Sequence, residues 1–181
     1  MKLTVLCSVT ITMVGLLFPI TASSTMVRGF TTGDMVRESQ AVVRGVVANR
    51  QGVWNTAHTR IYTDSQVRVI EVLAGDVSTP EITVRQIGGT VGDVSMTVAG
   101  VAPIQTGEEV LLFLRTDGER YYLVGMAQGK FAVRVGPEGA VVARSLEGLA
   151  LMSTGPQRAA TPRSYEQFRA SIRFYATVWG R

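Results

Sequence analysis

Between residues 40 and 143 the chain repeats one pattern: a short stretch of β-branched and aromatic residues followed by a cluster of turn-forming residues. Residues 82–87 alternate apolar with polar side chains, as a half-buried strand does, whereas residues 110–114 are continuously apolar and predict a strand buried on both faces. About eight such stretches follow one another at close spacing, with turns such as Asp117-Gly118 between them. Strands this short and this numerous predict a barrel or a sandwich, because those architectures close or stack an antiparallel sheet.

The last part of the chain has a different period. Thr161 and Pro162 are the residue types expected of a helix cap and of the first helical position. Apolar side chains then recur every three or four residues, which predicts an amphipathic α-helix over residues 161–179. These side chains are Tyr165, Phe168, Ile172, Tyr175 and Trp179. We expect the helix to cover an open end of the barrel; a basic helix lying on a membrane surface is the alternative.

The first 24 residues have the layout of a secretory signal peptide. Lys2 provides a positive charge, residues 3–20 are predominantly apolar, and residues 22–24 are the small residues that precede a cleavage site. An uncleaved membrane anchor is the alternative, because about eighteen apolar residues is near the lower length that spans a bilayer. Removal of residues 1–24 predicts an exported protein, either secreted or held in the periplasm or cell envelope.

The only cysteine, Cys7, lies within that segment, so the mature chain would have no disulfide, no thiol nucleophile and no cysteine ligand for zinc. The formal net charge of +4 is small and the basic residues are spread along the chain, which does not favour nucleic-acid binding. The rest of the chain is long enough for one domain without a covalent cross-link. We expect four parts: a loose segment at residues 25–37 with a helical turn near residues 34–39, a β-barrel domain at residues 38–145, a linker at residues 146–160 and the helix at residues 161–179.

Three stretches have a recognisable hydrophobic pattern: residues 41–47 (AVVRGVV), residues 67–75 (VRVIEVLAG) and residues 107–114 (GEEVLLFL). The pattern resembles the strands of netrin-like domains, which include the tissue inhibitors of metalloproteinases. The resemblance implies an OB-like Greek-key β-barrel of five strands. Ala74 stands where that family usually has lysine. The inhibitors also chelate zinc through an N-terminal cysteine that the mature chain would lack, so their inhibitory mechanism is not implied here.

Residues 88–92 form a glycine-rich segment. A phosphate cradle of this kind needs a helix directly behind it, and residues 94–98 have the pattern of a strand. We therefore expect a barrel corner at which the glycines supply positive φ angles or a bulge. Together with residues 128–131 and the terminal helix, Gly88-Gly89 also resembles a group of uncharacterised exported bacterial proteins, which implies a fold and no activity.

The chain offers few residues for catalysis or metal binding. His58 is the only histidine, so a zinc site would need carboxylates from separate loops, and Asp93, Glu108 and Glu109 are too dispersed for a calcium loop. A serine triad through His58 and Asp64 is not favoured, because the chain has no G-x-S-x-G motif. We expect no catalytic residue, no metal and no cofactor. A hydrolase site assembled from scattered carboxylates is the alternative.

Trp54, His58, Arg60 and Tyr62 are the best candidates for binding. They lie within residues 49–62, a segment predicted to be the loop between the first two barrel strands, and aromatic and arginine side chains often anchor interfaces. In OB-folds this loop contributes to the binding surface. The alternative for Trp54 is a packing role over the barrel floor.

These features predict an exported, non-enzymatic binding or interaction module. Its partner would be a protein or a cell-envelope component, bound through residues 49–62 and the adjacent barrel face, and its membrane contact would be limited to export. Two alternatives are open: a secreted hydrolase with a site of scattered carboxylates, and a structural envelope protein held by an uncleaved N-terminal segment.

Overall fold

The computed structural model describes residues 25–137, 139–144, 149–152 and 162–180. The predicted signal peptide at residues 1–24 and most of the predicted linker at residues 146–160 lie outside these ranges. Within them the chain forms strands and helices in the order β1 (Thr25–Arg28), α1 (Thr32–Glu38), β2 (Ala41–Trp54), β3 (Ile61–Gly75), β4 (Glu81–Ile87), β5 (Gly89–Val91), β6 (Val94–Met96), β7 (Glu109–Thr116), β8 (Tyr121–Leu123), β9 (Lys130–Gly136), β10 (Gly139–Ala143), β11 (Leu149–Met152), β12 (Arg163–Ser164) and α2 (Tyr165–Trp179).

Five of these strands close into a barrel. Strand β2 pairs with β3 on one side and with β7 on the other, and β3 pairs with β4. Strand β4 then pairs in parallel with β8, and β8 pairs with β7, which completes the ring. Every neighbouring pair in the ring except β4–β8 is antiparallel. The predicted mainly-β barrel with a C-terminal helix is therefore confirmed.

Two hydrophobic cores lie on opposite sides of the wall that β2 and β7 form. The barrel core fills the interior and consists of Ala41, Val43, Val47, Val67, Ile82, Val84, Ala102, Ile104, Val110, Leu112, Leu114, Leu123 and Ala127. The outer core lies between the sheet and the two helices and consists of Met35, Val36, Val42, Leu73, Ala74, Leu111, Phe113, Val124, Phe131, Val133, Val142, Tyr165, Phe168, Ile172 and Ala176.

Strand β7 belongs both to the barrel and to an extension of its sheet. Its last residues pair with β8, while residues 110–112 pair with β9, which in turn pairs with β10. Successive side chains of a strand point to opposite faces, so Leu112 enters the barrel core and Phe113 enters the outer core. The predicted burial of residues 110–114 on both faces is confirmed, since none of these side chains is exposed.

Helix α1 begins slightly earlier than the helical turn predicted near residues 34–39. Thr31 caps it: the Thr31 hydroxyl accepts a hydrogen bond from the Asp34 amide, and the Asp34 carboxylate accepts one from the Thr31 amide. Met35 and Val36 are fully buried in the outer core, where α1 packs against α2. No helix in the described part of the chain is long and apolar enough to cross a membrane.

Helix α2 begins later than the sequence predicts. It starts at Tyr165 with Ser164 as its cap, because Arg163 and Ser164 are extended and pair with β10 as strand β12. The start expected at Thr161-Pro162 is therefore wrong: Pro162 precedes the helix, and Thr161 lies outside the described residues.

Helix α2 lies against the outside of the barrel wall, which corrects the expectation that it covers an open end. Its buried side chains share the outer core with Phe113, whereas the barrel interior receives the alternate residues of β7. The sheet extension of β9 and β10 presents an apolar face that a second layer must cover. Tyr165, Phe168 and Ile172 of the predicted apolar side of α2 are buried. Tyr175 is only half-buried and Trp179 is 45% exposed, and Ala176 is the buried residue of the last turns.

The predicted loop at residues 49–62 is mostly strand. Strand β2 continues to Trp54 and β3 starts at Ile61, so only residues 55–60 form the loop. Every residue from Asn49 to Trp54 has a partner on β3. Asn49, Arg50 and Gln51 are polar and exposed, whereas Gly52, Val53 and Trp54 are half-buried. This part of β2 therefore lacks the regular alternation of apolar and polar residues by which a strand is recognised in sequence, and its pairing with β3 maintains it.

Two segments that were expected to be coil contain strands. Within residues 25–37, strand β1 precedes α1, and within residues 146–160, strand β11 occupies Leu149–Met152. The two strands pair in parallel, with Thr25 opposite Leu149. A local pattern does not reveal a pairing between segments this distant along the chain.

The glycine-rich segment forms a corner with positive φ angles, as predicted. Gly88, Gly89 and Gly92 have φ angles of 93°, 137° and 57°, values that other residues rarely adopt. A Cβ atom on Gly89 would lie 2.2 Å from the hydroxyl oxygen of Thr63. Strands β5 and β6 form a short antiparallel hairpin immediately after the corner, so the segment leads into a hairpin and not into a helix.

Candidate binding face

The loop at the tip of the β2–β3 hairpin has its shape fixed by one side chain. The carboxamide oxygen of Asn55 accepts hydrogen bonds from the amides of Thr59 and Arg60 at 2.8 and 3.0 Å, and its nitrogen donates to the Thr59 hydroxyl at 3.0 Å. The backbone of Asn55 also pairs with Arg60 and His58. His58 has a left-handed φ of 53°. These contacts within the chain fix the conformation of the tip.

Trp54 and His58 lie together at this tip. Their rings stack with centroids 6.1 Å apart and an angle of 27° between the planes. Trp54 is half-buried and belongs to neither core, whereas His58 and Arg60 are exposed. The indole thus covers the hairpin tip and not the barrel core, with one aromatic pair and one arginine presented to solvent.

Tyr62 lies on β3, two residues beyond Arg60, and forms a second group with Arg85 of β4. The Arg85 guanidinium is 5.3 Å from the centre of the Tyr62 ring, within cation–π range. Asp64, directly opposite Arg85 in the ladder, accepts two hydrogen bonds from it, both at 2.6 Å. The hydrogen bond with Asp64 raises the pKa of Arg85 above its ordinary value. The ion pair holds the guanidinium beside the tyrosine.

A groove of about 170 Å³ opens beside Tyr62, between β3, β4 and the β7–β8 hairpin. Aromatic, apolar and cationic side chains line it, among them Tyr62, Arg85, Ile87, Arg115, Tyr122 and Met126. A larger hollow of about 390 Å³ beneath the β5–β6 hairpin adjoins this groove, because Gln86, Ile87 and Val101 line both. Arg50 of the β2–β3 hairpin also lines the larger hollow. The concave surface therefore runs from the hairpin arm to the β7–β8 tip.

The β7–β8 tip is fixed by Asp117. Its carboxylate accepts a hydrogen bond from the Tyr122 hydroxyl at 2.6 Å and others from the amides of Glu119 and Arg120 at 3.0 and 2.8 Å. The Tyr122 hydrogen bond, with those of the two amides, lowers the pKa of Asp117 to about 2. Tyr122 is thereby held in place at the rim of the groove.

This arrangement predicts the titration of Asp117. Its carboxyl should titrate near 2 in carbon-detected NMR, so its stabilisation of the tip is complete above pH 3.8, the unperturbed value, and is lost as the pH falls through about 2. Tyr122→Phe should raise this pKa only part of the way, because the two amide donors remain. Tyr121→Phe is the matched control and should leave it unchanged. If Asp117 titrates near 3.8 in the unmodified protein, its carboxylate does not accept these hydrogen bonds in solution.

We define the binding face as the hairpin tip of Trp54, His58 and Arg60 together with the groove beside Tyr62. The structure brings Trp54 and His58 into contact, leaves Arg60 exposed, and places Tyr62 with Arg85. Tyr62 is the one groove residue that was predicted from the sequence; the others include Arg85, Arg115, Tyr122 and Met126. In the sequence, only the alternation of β4 indicates that the Arg85 side chain points away from the barrel core. The pairing of β8 with β4 and β7 brings Tyr122 close to Arg85, and no local pattern predicts that pairing.

Carboxylates do not converge in the described part of the chain. The adjacent Glu108 and Glu109 pair with different cations, Lys130 at 2.7 Å and Arg44 at 2.5 Å. Asp93 is exposed on the β5–β6 turn. The described residues include no group of three or more histidine, cysteine or acidic side chains that could hold a metal ion.

Comparison with protein-family models and with curated proteins finds no match for this chain. Its function must therefore be inferred from the geometry of its own residues.

Proposed function

We propose that this chain is an exported, non-enzymatic binding module that recognises a protein or a cell-envelope component through the binding face. One observation carries the proposal: a groove lined by two tyrosines and two arginines, Tyr62, Tyr122, Arg85 and Arg115, adjoins a hollow bordered by Arg50. The loops at the ends of the β2–β3 and β7–β8 hairpins are each held by side-chain hydrogen bonds. Aromatic and arginine residues are the side chains most enriched in the energetic centres of interfaces. Tips already held by Asn55 and Asp117 lose little conformational freedom on binding, which favours affinity.

The order of the barrel strands supports an OB-like, netrin-like fold for this module. Strands β2, β3 and β4 are consecutive neighbours, and β7, the fourth of the ring, returns to lie beside β2, as in a Greek key. Strand β8 then closes the ring as the fifth strand. In OB-folds, the loop between strands 1 and 2 and the loop between strands 4 and 5 contribute to ligand binding beside the face of strands 2 and 3. The corresponding loops here are residues 55–60 and residues 117–120.

The chemistry of the binding face favours a partner with apolar or aromatic groups and some acidic groups. Arg60 and Arg115 are exposed. Arg85 already has Asp64 as its counter-ion, so it supplies a flat cationic surface and no uncompensated charge. Acidic groups on a partner would therefore meet Arg60 and Arg115, while its apolar groups would contact Trp54 and the groove.

Partner capture tests this proposal. The chain, expressed with a C-terminal affinity tag in the producing cell, should retain a defined partner from the secreted and envelope fraction. Trp54→Ala and Arg60→Ala should abolish that capture while leaving the thermal unfolding temperature nearly unchanged, because neither side chain belongs to a core. Mass spectrometry of the captured chain reports whether residues 1–24 have been removed.

Arg68→Ala is the matched control, since Arg68 is an exposed arginine of β3 that lines neither part of the concave surface. It should retain the partner fully. Equal loss in Arg68→Ala would show that general positive charge, and not this face, holds the partner. Unfolding of Trp54→Ala at markedly lower temperature would assign Trp54 a packing role, and an intact Met1 on the exported chain would contradict cleavage of the signal peptide.

A further inference from the structure

The hollow beneath the β5–β6 hairpin has the size of a small-molecule site. Its volume is about 390 Å³, and pockets that hold small ligands begin at about 300 Å³. Three parts of the chain enclose it: one face of β3 and β4, the β5–β6 hairpin, and residues 97–104. Ala102 and Ile104 belong both to its lining and to the barrel core, so the hollow adjoins the interior of the barrel.

Three neighbouring strands direct side chains into the hollow. Thr63 of β3 lies opposite Gln86 of β4 and, on its other side, opposite Gly52 of β2. Because alternate residues of a strand share a face, Gln86 lies on the same face as Val84 of the barrel core. For the same reason Arg50 lies on the face of Gly52. The hollow therefore continues the interior face of the barrel, with Arg50 at its border.

The β5–β6 hairpin packs so closely on the barrel that it forms a fixed roof. A Cβ atom on Gly52 would lie 1.9 Å from the carbonyl oxygen of Thr90, and one on Gly88 would lie 2.9 Å from that of Met96. Within the hairpin, the hydroxyl groups of Thr90 and Ser95 form a hydrogen bond at 2.8 Å. Glycine at these two positions thus lets the backbone of the hairpin approach the strands directly.

The polar groups of the floor already have partners within the wall. The Thr63 hydroxyl donates to the Gly88 carbonyl at 2.8 Å, and the Gln86 amide donates to the Ala102 carbonyl at 2.9 Å. Most of the other lining side chains are apolar. They are those of Ile87, Met96, Val98, Val101, Ala102, Pro103 and Ile104.

Arg50 alone is charged among the lining residues. It is exposed and donates to the carboxamide oxygen of Gln105 at 3.1 Å, which is a neutral acceptor. Within the described part of the chain it forms no ion pair, and Glu108, which follows Gln105 on the same segment, is paired with Lys130 at 2.7 Å. The hollow therefore combines an apolar lining with one positive charge that no carboxylate of the described residues balances.

We propose that the hollow binds a small apolar monocarboxylate, such as a medium-chain fatty acid. The hydrocarbon chain would leave water for the apolar lining, and the carboxylate would accept from Arg50, whose fork of donors matches a carboxylate. One carboxylate balances this one cation, whereas a phosphate dianion would leave a negative charge unmatched. The proposal does not rest on the proposed function, because neither Trp54 nor Arg60 lines the hollow.

A titration of the purified chain followed by amide NMR at low salt tests this site, with octanoate and octanol as separate probes. Octanoate should bind saturably at one site per chain and shift the amide signals of Thr63, Gln86 and Val98. Octanol has the same chain without the charge, so it should bind about fivefold more weakly or less tightly still. Equal affinity for the two probes, or absence of saturable octanoate binding, overturns the proposal.

Arg50→Gln separates the charge from the apolar contact. It should weaken octanoate binding about fivefold and leave octanol binding within about twofold, because only the carboxylate uses the guanidinium. Arg68→Gln is the control, since it removes the same charge from an exposed position outside the hollow, and it should leave both affinities unchanged within about twofold. Equal weakening of octanoate binding by the two substitutions contradicts the site.

Val98→Trp tests the apolar part, because a larger side chain would fill the hollow. It should abolish binding of both probes, and Val135→Trp, at a valine that is 75% exposed and does not line the hollow, should not. Thermal unfolding checks that each variant is folded, and Arg50→Gln, at an exposed position, keeps the test independent of folding. Trp54→Ala should leave octanoate binding unchanged, so failure of this site and failure of the proposed function are distinguishable. Retention of octanoate binding by a folded Val98→Trp variant overturns the location.

Discussion

Phe113→Ala lowers the free energy of unfolding by about 3–5 kcal/mol, the range expected when a buried phenylalanine is truncated and leaves a cavity. Phe113 is fully buried on β7, where its ring lies 5.8 Å from that of Phe131 and 6.2 Å from that of Phe168. Phe131 and Phe168 are themselves 4.7 Å apart. The three rings join β7, β9 and α2, so the cavity would open at the point where helix and sheet meet.

Urea denaturation followed by circular dichroism measures this loss. Phe174→Ala is the matched control, because Phe174 is an aromatic residue of α2 that is 64% exposed. Its effect should stay within about 0.5 kcal/mol, as for most surface substitutions. Similar losses of unfolding free energy for the two substitutions would contradict the packing of Phe113 in the outer core, because a surface ring would then contribute as much stability as Phe113.

Glu71→Ala is the second substitution with a large expected effect, about 2 kcal/mol of unfolding free energy. Glu71 of β3 accepts hydrogen bonds from the Tyr165 hydroxyl at 2.5 Å, from Arg169 at 2.7 Å and from Arg173 at 3.0 Å. Tyr165 is only 2% exposed, so removing the carboxylate leaves a buried hydroxyl without this acceptor, which costs about 1–3 kcal/mol. The same carboxylate connects the first three turns of α2 to the barrel wall.

The Glu71 effect should depend on pH. Burial pushes the pKa of Glu71 upward, but hydrogen bonds from Tyr165 and Arg169 outweigh it and hold the pKa below its ordinary value of 4.5. A lowered pKa in the folded state contributes stability above the ordinary value, and that contribution is lost as the pH falls through the folded-state pKa. The difference between Glu71→Ala and the unmodified chain should therefore shrink in acid.

Denaturation at neutral pH and in acid measures both effects. Glu81→Ala is the control, because Glu81 is an exposed carboxylate of a barrel strand, and it should change stability by less than about 0.5 kcal/mol. A Glu71→Ala effect as small as that of Glu81→Ala would show that the carboxylate does not hold α2.

The strands and the helix could be predicted because their patterns are local. The continuous apolar run at residues 110–114 indicates a strand that is buried on both faces. In the structure, one face of β7 packs in the barrel core and the other packs in the outer core. The apolar period of α2 is equally local. The start of α2 was missed because Arg163 and Ser164 pair with β10, and this distant ladder overrides the favourable cap that Thr161 and Pro162 offered.

The candidate site could be predicted only in part. Trp54, His58, Arg60 and Tyr62 stand out because aromatic and arginine residues are unusual in a polar segment. The groove that Tyr62 borders depends on the parallel pairing of β4 with β8, at Val84 opposite Tyr121. No periodicity within either strand encodes that pairing, so the sequence offered no reason to join Tyr122 to Tyr62.

Site-specific photo-cross-linking in the producing cell tests the central claim, recognition through the binding face, most directly. A photoreactive residue replaces Arg60 at the hairpin tip in one chain and Arg68 of β3 in another; both positions are exposed. We expect irradiation to join the chain to one discrete partner from position 60, and from position 68 to give none. Equal cross-linking from the two positions, or none from position 60, would contradict recognition through this face.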